Sequence, residues 1–138
     1  MELLEKDLVI KFTMKNIRIK ILLVLMIVLS LFMGISINGN WGFLYQFEFF
    51  DFLQLHEKGF KDYVLWGIII LSHIGIICLP FMVEKNYFRR ILVYFPLIYW
   101  LGYLFLEAGY FILLIPFAAV WIVLLLYFKK NKSTVKNS

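Results

Sequence analysis

The chain has 138 residues, 63% of them hydrophobic and 17% charged, with mean hydropathy +0.87. A soluble domain of this size holds its apolar share near half, and the excess here is gathered into blocks free of Asp, Glu, Lys and Arg, which excludes an ordinary soluble globule. The formal net charge of +5 would suggest nucleic acid in a soluble chain, but no folded basic domain is there to carry such binding, so no nucleic-acid partner is expected.

The first twenty residues form a basic segment with Lys6, Lys11, Lys15, Arg18 and Lys20. Its opening stretch, "MELLEKDLVIKFT", reads either as a short helix on the inner membrane surface or as a disordered lead-in. From Met14 the sequence "MKNIRIKILLVLMIVLSLFMGIS" has the layout of a signal sequence, basic and then apolar. No A-x-A cleavage site or lipobox cysteine follows, so it reads as an uncleaved anchor, with either Met1 or Met14 compatible as the start. The first apolar block is Ile21–Ile37, ending in the turn chemistry of Gly39 and Gly42 with two Asn. Trp41 suits the outer interface.

Residues 38–62 form an outer segment, too charged to span and too apolar for a plain loop. Wound at 100° per residue, Tyr45–Lys58 puts Tyr45, Phe49, Phe52, Leu53 and His56 on one side. Gln46, Asp51, Gln54, Glu57 and Lys58 gather on the other, with Gly59 as a stop. This is the pattern of an amphipathic helix lying in the interface, although "YQFEF" also fits a short strand. The apolar side serves either as a lid over the outer ends of the spans or as an interaction surface for a partner.

The second block, Tyr63–Val83, contains Ser72, His73 and Cys78, with Gly67 and Gly75 allowing close helix approach. Cys78 is the single cysteine, so it reads as a small packing residue. The short "EKNYFRR" then makes a hairpin with the third block, Ile91–Leu106, rich in Tyr and Phe and carrying Pro96. Only "EAG" separates it from the fourth, Tyr110–Phe128, which carries Pro116 and the small pair Ala118–Ala119. "KKNKSTVKNS", residues 129–138, reads as a solvated, disordered basic tail.

Each block approaches the roughly 20 residues that a membrane helix needs, and helices satisfy their own backbone groups in lipid. The expected fold is therefore an all-α integral membrane protein, a four-transmembrane-helix bundle over residues 21–128 with an amphipathic interfacial helix between the first and second spans. Lys and Arg decide its orientation. Residues 1–20, 84–90 and 129–138 carry twelve of them, and residues 38–62 and the Glu107 turn carry two. The positive-inside rule then places both termini in the cytoplasm of a bacterial cell, with the protein in the inner membrane. The basic ends also suit anionic lipid head groups.

In register, the spans bring Ser30, Ser72, His73, Tyr99 and Tyr103 to a common depth near the midplane. An ionisable group there is a candidate functional residue, and neutral imidazole can both donate to and accept from Tyr99 or Tyr103. The plainer alternative is interhelical glue worth about 1 kcal/mol. Glu107 is a candidate outer carboxylate, about 9 Å from the His73 level at 1.5 Å rise per residue. It is either a proton or cation gate or a solvated helix end. No metal site and no cofactor are expected: zinc needs three or four ligands, and haem between spans wants two facing histidines. No P-loop, GxGxxG, CxxC or GxSxG is present, and no catalytic residue is assigned. Three classes of function follow, in order: a non-enzymatic accessory or interaction protein, including an immunity or resistance role, that binds another membrane protein or itself; an oligomeric small transporter or channel using His73; and a membrane enzyme.

Overall fold

The structure, a computed structural model, describes residues 1–37, 39–54 and 59–136. It is all-α, 85% helical, with one small hairpin. In order, the elements are α1 (Glu2–Phe32), β1 (Gly34–Ile37), β2 (Asn40–Phe43), α2 (Leu44–Gln46), a π-helical turn (Phe47–Asp51), α3 (Phe52–Gln54), α4 (Phe60–Cys78), a 3-10 turn (Leu79–Phe81), α5 (Phe88–Leu106), α6 (Ala108–Leu113) and α7 (Ile115–Lys136). Two stretches are long and apolar enough to cross a membrane, Phe60–Phe81 and Phe88–Leu106; Ile115–Lys129 is a shorter apolar helix.

The first apolar block is helical only as far as Phe32, five residues short of the expected Ile37. Met33 turns extended, and Gly34–Ile37 pairs antiparallel with Asn40–Phe43, Gly34 opposite Phe43 and Ile37 opposite Asn40. A Cβ on Gly34 would lie 2.5 Å from the Gly42 carbonyl oxygen, so the strand begins where only glycine allows the partner backbone that close. Gly39 closes the hairpin at φ +83°, a left-handed conformation that glycine adopts freely. The Leu44 N–H donates to the Met33 carbonyl at 2.8 Å and ties the hairpin's exit to the end of α1. Ahead of this, "MELLEKDLVIKFT" is continuous with α1 rather than a separate helix or a disordered lead-in.

The outer segment is helical over Leu44–Gln54, but not as one amphipathic helix with the expected faces. A π turn interrupts it, and the residues turned inward are Leu44, Glu48 and Phe52. Of the expected apolar face, Phe52 is buried, Tyr45 is half-buried, and Phe49 and Leu53 are exposed; His56 lies outside the described residues. The wider π turn rotates the following residues relative to a 3.6-residue helix, and the expected polar and apolar sides rotate with it.

α4 starts with the Gly59 N–H donating to Asp62 Oδ2 at 3.0 Å and gives way after Cys78 to the 3-10 turn that holds Pro80. α5 runs antiparallel to it, with Gly102 against Ile69 and Gly75 against Phe95. Pro96 lies inside α5, where its missing N–H leaves the carbonyl four residues back without a helical donor. That carbonyl, of Leu92, accepts the indole N–H of Trp121 from α7 at 2.7 Å, so the proline's gap becomes an interhelical bond. The expected fourth span is broken at Leu114 into α6 and α7, because Pro116 cannot continue the ladder. α7 then runs to Lys136, so the tail expected to be disordered is mostly helix; no Gly or Pro after Pro116 interrupts it. The core includes Leu23 and Met26 of α1, Ile69 and Ile76 of α4, Leu92 and Tyr99 of α5, and Phe117 and Leu124 of α7.

The two glycines of α4 part company. A Cβ at Gly75 would collide with the Phe95 ring, whereas nothing lies within 4 Å of one at Gly67. Gly75→Ala should lower stability by about 1–3 kcal/mol through overpacking, while Gly67→Ala leaves the unfolding midpoint unchanged or raises it. Thermal unfolding of the two variants in one detergent checks this.

Candidate functional site

The outer segment delivers a carboxylate to the middle of the helices. Glu48 sits in the π turn at 0% exposure. Its Oε2 lies 2.5 Å from His73 Nδ1 on α4. Its Oε1 accepts a hydrogen bond from the Tyr103 hydroxyl on α5, also at 2.5 Å. The other ring nitrogen, His73 Nε2, is 3.0 Å from Ser30 Oγ on α1, and Ser30 Oγ in turn donates to the Ile27 carbonyl at 2.8 Å. The Tyr99 hydroxyl donates to the Ser30 carbonyl at 3.2 Å, and the Tyr99 ring packs on the imidazole with centroids 4.7 Å apart. One connected set of bonds therefore joins α1, the outer segment, α4 and α5.

Local sequence explains why Glu48 can be held there. Gln46 reaches back to accept the Phe43 N–H at 2.9 Å and fixes the start of the segment. Phe52 stacks on Trp66 of α4 with planes 8° apart, and the Trp66 indole donates to the Glu48 carbonyl at 2.8 Å. Phe47 packs on Tyr110, centroids 4.7 Å apart. The segment is clamped on both sides of the acid before the carboxyl itself is counted. Burying a carboxylate costs several kcal/mol unless it is paired and hydrogen-bonded; both Glu48 oxygens have partners, and among the described residues no buried side-chain nitrogen or oxygen lacks one.

Of the residues expected at the midplane, Ser30, His73, Tyr99 and Tyr103 come together. Ser72 is buried beside them, but its hydroxyl donates to the Ile68 carbonyl at 2.8 Å, one turn back on its own helix. Tyr103 reaches His73 only through Glu48. Glu107 is exposed and ends α5: its N–H donates to Tyr103 and its carbonyl accepts from Tyr110. Phe49 of the outer segment lies over the imidazole, centroids 6.2 Å apart.

The residue that sequence reasoning missed is Glu48, which it left without a role. A signal was present: at 100° per residue Glu48 falls about 40° from Phe52, at the edge of the apolar side, and it stands among Phe47, Phe49 and Phe50. No family model, curated protein or solved structure matches the chain.

Proposed function

We propose that the chain is a small polytopic protein of the bacterial inner membrane that works by contact and catalyses no reaction. It spans the bilayer four times with both termini cytoplasmic, and its outer segment binds another membrane protein or a second copy. The observation that carries this reading is the anchoring of the longest connection. The other interhelical connections are short turns, yet the chain between α1 and α4 is elaborated into a hairpin and a clamped helical segment. Binding residues are found disproportionately on connecting segments that a rigid scaffold positions.

Clamping also sets what faces outward. Trp41, Phe50 and Leu53 are 66%, 60% and 51% exposed, on a segment whose backbone is already fixed. A surface ordered in advance loses less entropy on association. The bilayer part of the reading is supported by the two long helices, in each of which only 28% of the apolar stretch is covered by the chain itself. Lipid is the medium that leaves such surface uncovered at no cost.

Phe50→Asp combined with Leu53→Asp tests the proposal, because both side chains point away from the bundle. Stability should change by only about 0.5 kcal/mol per site. A crosslinked complex recovered from native membranes with the wild-type chain should fall about tenfold or more in the double variant, equivalent to about 1.4 kcal/mol. Equal recovery from both, or no complex with the wild type, sinks the reading.

The Glu48–His73 pair favours a second reading, an oligomeric small transporter or channel whose proton path passes through His73. Proton-coupled flux in vesicles, lost in His73→Leu, would support it over the first.

A further inference from the structure

We propose that Glu48, His73 and Ser30 form a site for a single proton, and that the outer segment stays docked only while the site holds it. The proposal rests on the contact reading only in taking the outer segment as the working surface.

The argument is a count of protons. Ser30 has one hydroxyl proton and two neighbours that could receive it, the Ile27 carbonyl at 2.8 Å and His73 Nε2 at 3.0 Å. Donation to the carbonyl of the preceding turn is the ordinary choice of a helical serine. Nε2 must then carry a hydrogen and donate to Ser30 Oγ. The 2.5 Å contact between Nδ1 and Glu48 Oε2 needs one more proton between them, and wherever it sits the pair is neutral overall. If that proton is removed, Ser30 must turn to donate to Nε2, Nδ1–H faces the carboxylate, and the cluster carries one net negative charge. If a proton is added, the pair carries one net positive charge: on Oε2 the new proton meets Nδ1–H as a second donor, and on Oε1 it displaces the hydrogen bond from the Tyr103 hydroxyl.

The surroundings make both departures costly. Facing the pair are Ser30 from α1, Tyr99 and Tyr103 from α5, Phe49 from the outer segment, and Phe117 of α7 behind Tyr99; Ser72, next to His73 on α4, turns its hydroxyl to the Ile68 carbonyl. Tyr110 of α6 lies beyond Tyr103. Among these described residues there is no cation to offset a buried charge, and Glu48 and His73 are both at 0% exposure. A charge left there without a partner is strongly disfavoured. Relief comes by undocking: Glu48 belongs to the outer segment, so when the segment lifts, carboxyl and imidazole separate and each exchanges protons with outer water. A ligand bound only by the docked state stabilises it by mass action, and here the ligand is the proton.

Trp66 reports docking directly, since Phe52 stacks on its ring and its N–H holds the Glu48 carbonyl. The full chain, labelled with 5-fluorotryptophan and held in lipid nanodiscs, gives four fluorine resonances, one for each tryptophan; Trp66→Phe assigns the one that matters. In the wild type the Trp66 resonance should leave its docked position on both the acid and the alkaline side of an intermediate plateau. Glu48→Gln presents an amide N–H to Nδ1 and a carbonyl to Tyr103, a permanent copy of the loaded site. It should keep the docked resonance and lose the alkaline limb. A wild-type resonance that does not move with pH overturns the proposal, with or without a folded variant; so does a Glu48→Gln chain that keeps the wild-type alkaline limb. The contact reading is judged separately, by the Phe50 and Leu53 variants at one fixed pH.

Discussion

Glu48→Leu is expected to destabilise the fold by about 3–5 kcal/mol, the usual cost of removing one partner from a buried charged or polar pair. Among the described residues, the carboxyl is the acceptor of the Tyr103 hydroxyl and the hydrogen-bond partner of His73 Nδ1. Leucine leaves both groups facing hydrocarbon, and it also removes the reason for the π turn to point inward. Glu48→Gln keeps two hydrogen bonds in neutral form and should cost roughly 1 kcal/mol. Thermal unfolding of the three proteins in one mild detergent decides the matter. If the leucine variant melts with the wild type, the acid does not hold the segment, and the clamp is made by Phe52, Trp66 and Gln46 alone.

The second large effect concerns the pair. His73→Leu alone strands the Glu48 carboxyl on its Nδ1 side and should cost a similar 3–5 kcal/mol. Combined with Glu48→Leu, however, the two changes leave no buried charge, and two apolar side chains of suitable size fill the gap. The double variant should therefore be more stable than either single variant predicts, with a coupling of about 2–3 kcal/mol. Adding Tyr103→Phe removes the last stranded hydroxyl and should raise the midpoint again. Strict additivity of the two leucine substitutions would show that Glu48 and His73 contribute to the fold independently, despite their contact. These free energies are best measured by unfolding in mixed detergent, where the helices stay formed and only their packing is lost.

The helices were legible because apolar blocks without charge have few alternatives to helix, and α4 and α5 lie where those blocks predict. The polar cluster was legible in part for a similar reason: equal position along antiparallel helices brings Ser30, His73, Tyr99 and Tyr103 together, as rise per residue requires. What could not be read was the path of the chain between α1 and α4. Counting residues assumes that a charged segment stays outside, whereas Glu48 is drawn in by two partners located 25 and 55 residues further along. Long-range compensation of that kind leaves no local trace, except that the acid stands on the apolar side of its own helix. The break at Leu114 had a local cause, Pro116, and so did the Trp121 bond to Leu92, whose carbonyl is freed by Pro96. Those features follow from proline chemistry once the neighbouring helix is known.

The order in which the network is synthesised has a consequence for biogenesis. Ser30 and Glu48 leave the ribosome before His73, and Tyr103 follows last. Until α5 has been made, Glu48 belongs to a chain that cannot complete its set of bonds, and the hairpin and outer segment have nothing final to settle against. The lock therefore closes only on a molecule whose third long helix is in place. A nascent chain that stalls earlier displays an unpaired acid among bare aromatic rings, which distinguishes it from the finished protein for any protease that surveys new chains.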